Sequence, residues 1–303
     1  MTHFDLCLAW NWEYDQDFAN LLEKSCAVRR LSLLQVTEAN LEETLTRLQA
    51  GEIGFRALLD RASDSDERFQ PLVDWGLANK AFQINPQAQC RWAWDKATMH
   101  LEFITGGLET PYTIILSPQN EQPDLPGLDL APFGGIFNIK PAVGGGGWGV
   151  VMHATSCDQV RQARGDYPAE KVLVQAHIEP ARLEGRPAWF RVLVCDGAVY
   201  PCWWDTTTHV YARLTADESL RFGLGELKQV ARRIQNLCGL HLFSTEIAYS
   251  QGKMIVTDYV NDPLDLRLLS AAVDGVPDEI VINISSRLAR LAERSATFPP
   301  AVR

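Results

Sequence analysis

The chain has 303 residues, 46% of them hydrophobic and 22% charged, which excludes the disordered and fibrous classes and leaves room for two or three subdomains. Its 28 Lys and Arg against 38 Asp and Glu give a net charge of −10, which opposes nonspecific binding to nucleic acid or an anionic membrane. No run approaches the roughly 18 apolar residues that span a bilayer, and the opening MTHFDLCLAWNWEYD has no basic segment ahead of an apolar one, so no signal peptide is visible and a cytoplasmic location is expected.

Along the chain, Asp5 to Ala9 reads as a buried strand, followed by a helical stretch and a second strand in RLSLLQV. After Thr37, Leu41, Leu45 and Leu48 have helical spacing, and Gly51 falls where a C-terminal cap sits. Residues 1–90 therefore predict a small α/β unit. A helix is expected to start near Asp95-Lys96, a strand in TPYTIIL, and a surface loop across the proline-rich, polar stretch 117–133. IFNIKP and WGVVMHA flank Gly144, Gly145, Gly146 and Gly147 and predict a hairpin with a glycine tip.

Ser156 and Gln159 have capping-box spacing for a helix running to Gly165, KVLVQAHI reads as a strand, and AWFRVLVCDGAVYPCWW as two strands turning at Asp196-Gly197. Thr215 and Glu218 form another capping-box pair. Leu220, Leu224, Leu227, Val230, Ile234 and Leu237 then trace one face of a single helix ending at Gly239. LFSTEIAY and KMIVTDYV turn at Gln251-Gly252, and a last amphipathic helix carries Ile280, Ile284, Leu288 and Leu291. The seven scattered cysteines contain no C-x-x-C pair, which suits reduced thiols, with Cys7 and Cys195 expected in the core.

Chemistry concentrates in three places. Four successive glycines let backbone N–H groups approach an anion with no Cβ in the way, and Lys140 sits at the base of that tip, so phosphate is the natural ligand. The string is neither a P-loop nor a Rossmann turn. Lys96, ahead of a helix, can converge with Lys140 on the same anion as a point charge. Gln175 closes an apolar strand, and the run after it can offer backbone groups to a purine edge, with Glu179 free to meet ribose hydroxyls. Arg191 lies in an apolar strand, where it must pair; a salt bridge and a phosphate contact are equally open.

Glu246, Asp258 and Asn261 are oxygen donors on strands predicted to be antiparallel neighbours, and cross-strand side chains about 5 Å apart can share a cation. Oxygen-only donors suit Mg²⁺ better than zinc. Each acid could instead cap a turn or pair with Arg267. In the loop CWWDTTTHVYARLT, Trp203, Trp204, His209, Tyr211 and Arg213 either face a second substrate or pack the domain, and Arg267 is a further anion clamp. His153, His177, His209 and His241 read as structural.

The order of these features resembles the ATP-grasp superfamily: DK before a helix, a strand-borne Lys with a glycine-rich hairpin, a hinge strand, an Arg strand, and a terminal pair of acid-bearing strands ending in Asn-x-Pro. The resemblance covers residues 90–267, and the preceding unit looks like the superfamily's N-terminal preATP-grasp domain. It implies an α/β (α+β) ATP-grasp fold with nucleotide held between two β-sheet subdomains, divided as 1–90, a lid at 91–180 and a C-terminal subdomain at 181–303. It further implies ATP and Mg²⁺ as cofactors. Lys96 and Lys140 would contact phosphates, Gly144 to Gly147 close over them, and Gln175, Ala176, His177 and Ile178 form the adenine hinge. Arg191 would face the γ-phosphate and Glu246, Asp258 and Asn261 hold magnesium. The chain departs from the pattern in having Gln175 where a hinge Glu is usual, Glu246 where Asp is usual, and Asp258 three residues before Asn261 with Tyr259 in the expected acid position.

The activity implied is an ADP-forming ligase that activates a small-molecule or peptide carboxylate as an acyl phosphate for attack by an amine or thiol, with no nucleic-acid or membrane partner and a homodimer allowed. A small-molecule kinase resembling inositol-phosphate kinases, or a catalytically degenerate nucleotide-binding protein, are the alternatives. A net charge of −10 and the absence of a Lys/Arg-dense acceptor loop argue mildly against the kinase.

Overall fold

A computed structural model describes residues 2–125 and 127–295. The first sheet takes β1 (Thr2–Trp10), β2 (Leu33–Val36), β3 (Ile53–Arg61) and β4 (Phe82–Ile84) in the order β2-β1-β3-β4, all parallel. Parallel neighbours need crossover connections, and α1 (Gln16–Val28), α2 (Leu41–Gln49) and α3 (Gln70–Ala78) supply them. Leu6, Cys7, Leu8 and Ala9 are all fully buried, as a strand covered on both faces requires. Leu6 and Leu8 meet Phe18 and Leu22 of α1, while Cys7 and Ala9 meet Leu41 and Leu48 of α2 and Leu72 of α3.

Two helices follow, α4 (Gln87–Trp94) and α5 (Lys96–Thr105). Asp95 caps α5, its Oδ1 accepting from the N–H groups of Ala97 at 2.9 Å and Thr98 at 3.2 Å, which sets Lys96 as the first residue of the helix. The second sheet contains β5 (Thr113–Leu116), β6 (Phe137–Pro141), β7 (Val151–Ala154) and β8 (Val172–Ala176), antiparallel in the order β5-β8-β6-β7. Helix α6 (Cys157–Asp166), capped by Ser156, covers it with Val160 packed on Phe137, Ile139 and Val174. Arg164, 2% exposed, donates to the carbonyls of Ser117 and Gln122 and so fastens the long loop to this layer.

A two-strand ribbon, β9 (Arg182–Leu183) with β10 (Arg186–Pro187), leads into the third sheet: β11 (Trp189–Cys195), β12 (Ala198–Trp204) and β13 (Tyr211–Arg213), then helices α7 (Ala216–Arg221) and α8 (Glu226–Cys238), then β14 (Leu242–Ser250) and β15 (Lys253–Asn261). Its order is β13-β12-β11-β14-β15 with every pair antiparallel. The β11–β12 turn has Asp196 at φ 47° and Gly197 at φ 77°, the two positive angles that an Asp-Gly hairpin turn demands.

The single helix expected through Leu220 is instead two. Gly223 at φ 67° ends α7, Leu220 is 84% exposed, and only α8 carries the expected buried face of Leu227, Val230 and Ile234. Helix α9 (Asp278–Ser295) returns to the first sheet, where Ile280, Ile284 and Leu288 join Leu6, Leu8 and Phe18 and also reach Leu193 and Cys195 of β11. Arg61 strengthens the same junction: buried, it donates to Asp15 at 2.9 and 2.7 Å and to the Leu264 carbonyl at 2.7 Å. The architecture is thus mixed α/β. No helix among the described residues is long and apolar enough to cross a membrane.

Candidate functional site

The third sheet places the charged residues. Arg191 on β11 stands opposite Glu246 on β14, which in turn stands opposite Asp258 on β15. Arg191 closes a 2.6 Å ion pair with Glu246 and donates to Ser244 Oγ at 3.1 Å, each of the paired side chains being 18% exposed. Of the two sequence readings of Arg191, the structure shows the salt bridge, whose carboxylate also feels the charges of Asp258 and Lys140.

The spacing of Asp258 and Asn261 has a backbone explanation. Ser244 pairs with Asn261 and Glu246 with Asp258, so two steps along β14 answer three along β15, and Glu246 to Ile247 answers Asp258 to Val256. These are β-bulges, each inserting one unpaired residue. The extra residue after Asp258 returns Asn261 to the same side, where its Nδ2 donates to Asp258 Oδ2 at 3.0 Å. Tyr259 is thrown to the opposite side and is fully buried. Two side-chain bonds pin the distorted ladder: Thr245 Oγ1 donates to the Asp258 carbonyl at 2.7 Å and Thr257 Oγ1 to the Glu246 carbonyl at 3.3 Å.

The second sheet supplies the lysines. Lys140 on β6 donates from Nζ to the Thr257 carbonyl at 2.8 Å, beside Asp258. Lys96 bonds through its main-chain N–H to the Ala142 carbonyl at 2.8 Å and through Nζ to the Gly144 carbonyl. Burial lowers the Lys96 pKa, opposed by Asp258 and reinforced by Lys140. Burial also pushes Asp258 up, but Lys140, Lys96 and Arg191 outweigh it and hold the carboxyl below its usual range. For Glu246 burial wins, with Asp258 adding to it against Arg191 and Lys140, and the pKa is raised. Three cations against two carboxylates leave an excess of one positive charge, which suits a polyanion carrying a divalent cation better than a bare cation. The donor set of Glu246, Asp258 and Asn261 is all oxygen, fitting magnesium.

Between β6 and β7 lies the glycine tip. Gly144, Gly146 and Gly147 have φ of 118°, 62° and 76°, and a Cβ at any of the four glycines would meet nothing within 4 Å. The tip is therefore not held by packing. Its neighbour Trp148 is 71% exposed and meets Tyr167 edge-on at 5.1 Å.

The expected hinge divides in two. The side chain of Gln175 does not face an open slot as a free group: at 1% exposure its Nε2 donates to Tyr259 Oη at 2.9 Å and Thr113 Oγ1 at 3.3 Å. The Ala176 N–H is taken by the Tyr112 carbonyl at 2.8 Å, whereas that of Ile178 bonds no atom of the described residues. His177 meets His153 edge-on at 4.8 Å with its Nδ1 sealed and unpartnered, and its Nε2 lies 3.7 Å from the Glu179 carboxylate, which is itself 80% exposed.

The residues of the CWWDTTTHVYARLT stretch part ways. Trp203 is core at 1% exposure, but Trp204 lies under the Arg191 guanidinium at 5.1 Å, stacked on His209 at 5.4 Å and tilted against Tyr211 at 4.7 Å. Arg213 pairs with Glu279 at 3.0 Å. Arg267 is already engaged by Asp265 at 2.7 Å and Asp274 at 2.8 Å, over the rings of Trp12 and Tyr14, so the local charge there is negative and an anion clamp is not what the geometry offers. Sequence reasoning did not anticipate that Tyr259 would be buried against Gln175 and His100; only its mismatch with the expected acid position signalled anything unusual there.

No family model and no curated protein matches the sequence. Solved structures do. A RimK domain protein ATP-grasp from Sphaerobacter thermophilus superimposes with a TM-score of 0.64 at 20% identity over 94% of this chain and 98% of that one. D-alanine–D-alanine ligase from Bacillus anthracis complexed with ATP gives 0.67 at 12% identity over 98% of both. The ATP-grasp ligase PsnB, solved with minimal precursor, Mg and ADP, gives 0.59 at 14% identity over 97% and 99%. Over the 94–98% of the chain that these superpositions cover, it has the ATP-grasp fold.

Proposed function

We propose that the protein is an ATP-dependent, ADP-forming ligase that activates a carboxylate for attack by an amine or thiol. The observation that carries this reading is the convergence of Lys96, Lys140 and Arg191 with Glu246, Asp258 and Asn261 beneath a glycine tip that no packing holds. The ligases and the Mg- and ATP-bound states among the structural neighbours support it.

In this reading the open N–H groups of Gly144 to Gly147 and the two lysines hold the triphosphate, and Glu246, Asp258 and Asn261 hold magnesium. The lysines would exchange their present carbonyl partners for phosphate oxygens, charge for charge stronger acceptors. Arg191, kept in place by Glu246 and Ser244, offsets charge that builds on the transferred phosphoryl group. Magnesium would supply further charge neutralisation at the phosphates. A substrate carboxylate oxygen attacks the γ-phosphorus and ADP leaves; the amine or thiol then attacks the acyl carbon, inorganic phosphate leaves, and the nucleophile's proton passes to solvent. Trp204, stacked on His209 beside Arg191, is the wall nearest this chemistry and would contact the acceptor.

The test is incubation with Mg-ATP, panels of carboxylic acids and hydroxylamine. Hydroxamate formation with matching ADP release is expected. A stable phosphorylated product would instead establish a kinase, and absence of ATP binding would refute both.

A further inference from the structure

A ring of bonds closes at the root of the glycine tip. The main-chain N–H of Lys96 donates to the Ala142 carbonyl at 2.8 Å, and that of Ala142 donates to the Lys171 carbonyl at 2.8 Å. Lys171 Nζ then returns to Asp95 Oδ2 at 2.9 Å, one residue ahead of Lys96. Ala142 follows β6 and Lys171 precedes β8, so their bond carries the β6–β8 ladder one step beyond Pro141 and Val172. Lys140 lies just before Ala142 and Gly144 just after it.

The ring joins two layers. Helix α5 packs on the third sheet, where Met99 and Phe103 share a core with Phe190 and Val192, whereas Ile139 of β6 and Val174 of β8 belong to the separate core of the second sheet. Asp95 serves both sides at once. Its Oδ1 takes the N–H groups of Ala97 and Thr98, and its Oδ2 takes the Thr98 hydroxyl at 3.0 Å together with Lys171. With Ala142 accepting from Lys96, the first N–H donors of α5 all have partners. Burial pushes the Asp95 carboxyl up, but Lys171 and Thr98 outweigh it and hold the group below its usual range. The Lys171 and Asp95 side chains are 44% and 22% exposed, and an ion pair so wetted contributes little to stability by itself. What it supplies is position.

We propose that Asp95 and Lys171 are positioning residues whose ion pair clasps the root of the glycine tip to α5, and so holds Lys96 and Lys140 in one register for the same triphosphate. This rests on the nucleotide reading above. Lys171 then serves phosphate binding without touching phosphate, because its ammonium is spent on Asp95. Without the clasp, the Lys96–Ala142 bond is left to set the register of this ring, and misplacing a binding group by about 1 Å can cost as much as 100-fold.

The opposite charges of the two partners separate geometry from electrostatics. Mg-ATP and adenosine are titrated by calorimetry into the wild type, Asp95→Asn, Lys171→Met, the double variant and Lys171→Arg, with a thermal melt of each. Asparagine caps a helix about as well as aspartate does, so Asp95→Asn spares α5 and breaks the clasp. Each single variant is expected to weaken Mg-ATP about tenfold and to leave adenosine unchanged. The double variant should be no weaker than either single one, and Lys171→Arg should keep most of the wild-type affinity. A pair acting only through its field would give opposite signs, Asp95→Asn tightening Mg-ATP and Lys171→Met weakening it. A merely structural pair would lower the melting temperature and move Mg-ATP and adenosine together. Either result overturns the proposal. Should Asp95→Asn fail to fold, Asp95→Ser, which also caps, takes its place. Variants that bind Mg-ATP as the wild type does overturn this inference alone; a wild type that binds no Mg-ATP overturns the nucleotide reading with it.

Discussion

Lys140 Nζ on β6 reaches 2.8 Å across to the carbonyl of Thr257 on β15, so the strand that leads into the glycine tip is tied to the strand that carries the acids. A residue so placed is a tether in this structure, and in the proposed reading it becomes a phosphate ligand when nucleotide is bound.

Lys140→Ala removes a charge-assisted bond and one of the three cations, and a bond to a charged group is worth about 1.5–3 kcal/mol, or roughly 10- to 150-fold in affinity. ATP affinity measured by calorimetry is expected to fall by at least that factor. Normal affinity in this variant removes Lys140 from the phosphate site.

Asp258 is held ionised by Lys140, Lys96 and Arg191, and its Oδ2 receives Asn261. Asp258→Asn keeps the shape of the bulge and removes the charge. Magnesium-dependent hydroxamate formation is expected to drop about 100-fold or more, the scale seen for loss of one preorganised electrostatic contact, while the melting temperature changes little. Kinetics equal to the wild type would exclude Asp258 from metal binding.

The sheets and most helices were legible because local chemistry and global fold agree. Asp196-Gly197 turns where its dipeptide dictates, and Ser156 and Thr215 cap the helices their spacing announces. The break at Gly223 was not legible, because the apolar spacing runs on through Leu220 into α8 and only tertiary packing reveals that Leu220 has no core to face. The site was legible as charged residues in apolar strands. Their spacing misled, since a bulge is a property of two strands together, and nothing in V-T-D-Y-V-N tells which residue will be extruded. For the same reason Tyr259 read as a missing acid, when it is the buried side of the distorted ribbon.

His100 supplies a pH signature. Its folded pKa is about 4 because burial disfavours the imidazolium, whereas an unfolded histidine titrates near 6.5. Between those values the unfolded chain binds a proton that the native one does not, so native stability is intact above the unfolded pKa and is lost as pH falls toward the folded one. At 1.36 kcal/mol per pKa unit the full loss is about 3 kcal/mol. Urea denaturation at pH 7 and pH 4.5 should show most of this loss in the wild type and less in His100→Gln by the same margin. An equal pH slope in both chains would assign the acid sensitivity elsewhere.

The glycines of the tip separate folding from ligand binding. Gly149 is needed by the fold twice over, since its φ is 72° and a Cβ would sit 2.8 Å from the Tyr167 ring. Gly149→Ala should therefore cost about 1–3 kcal/mol, and Tyr167→Leu in that background should recover the steric part while leaving the backbone part. Gly144, Gly146 and Gly147 are accounted for by positive φ alone. Gly145 has neither a positive φ nor any atom within 4 Å of its missing Cβ, so nothing in the protein requires it to be glycine. What an alanine there would obstruct is a ligand lying against the backbone. Gly145→Ala is accordingly expected to leave stability within about 0.5 kcal/mol of the wild type and to weaken ATP binding. If calorimetry instead finds nucleotide affinity unchanged, the tip does not close on phosphate, and its run of glycines serves the turn alone.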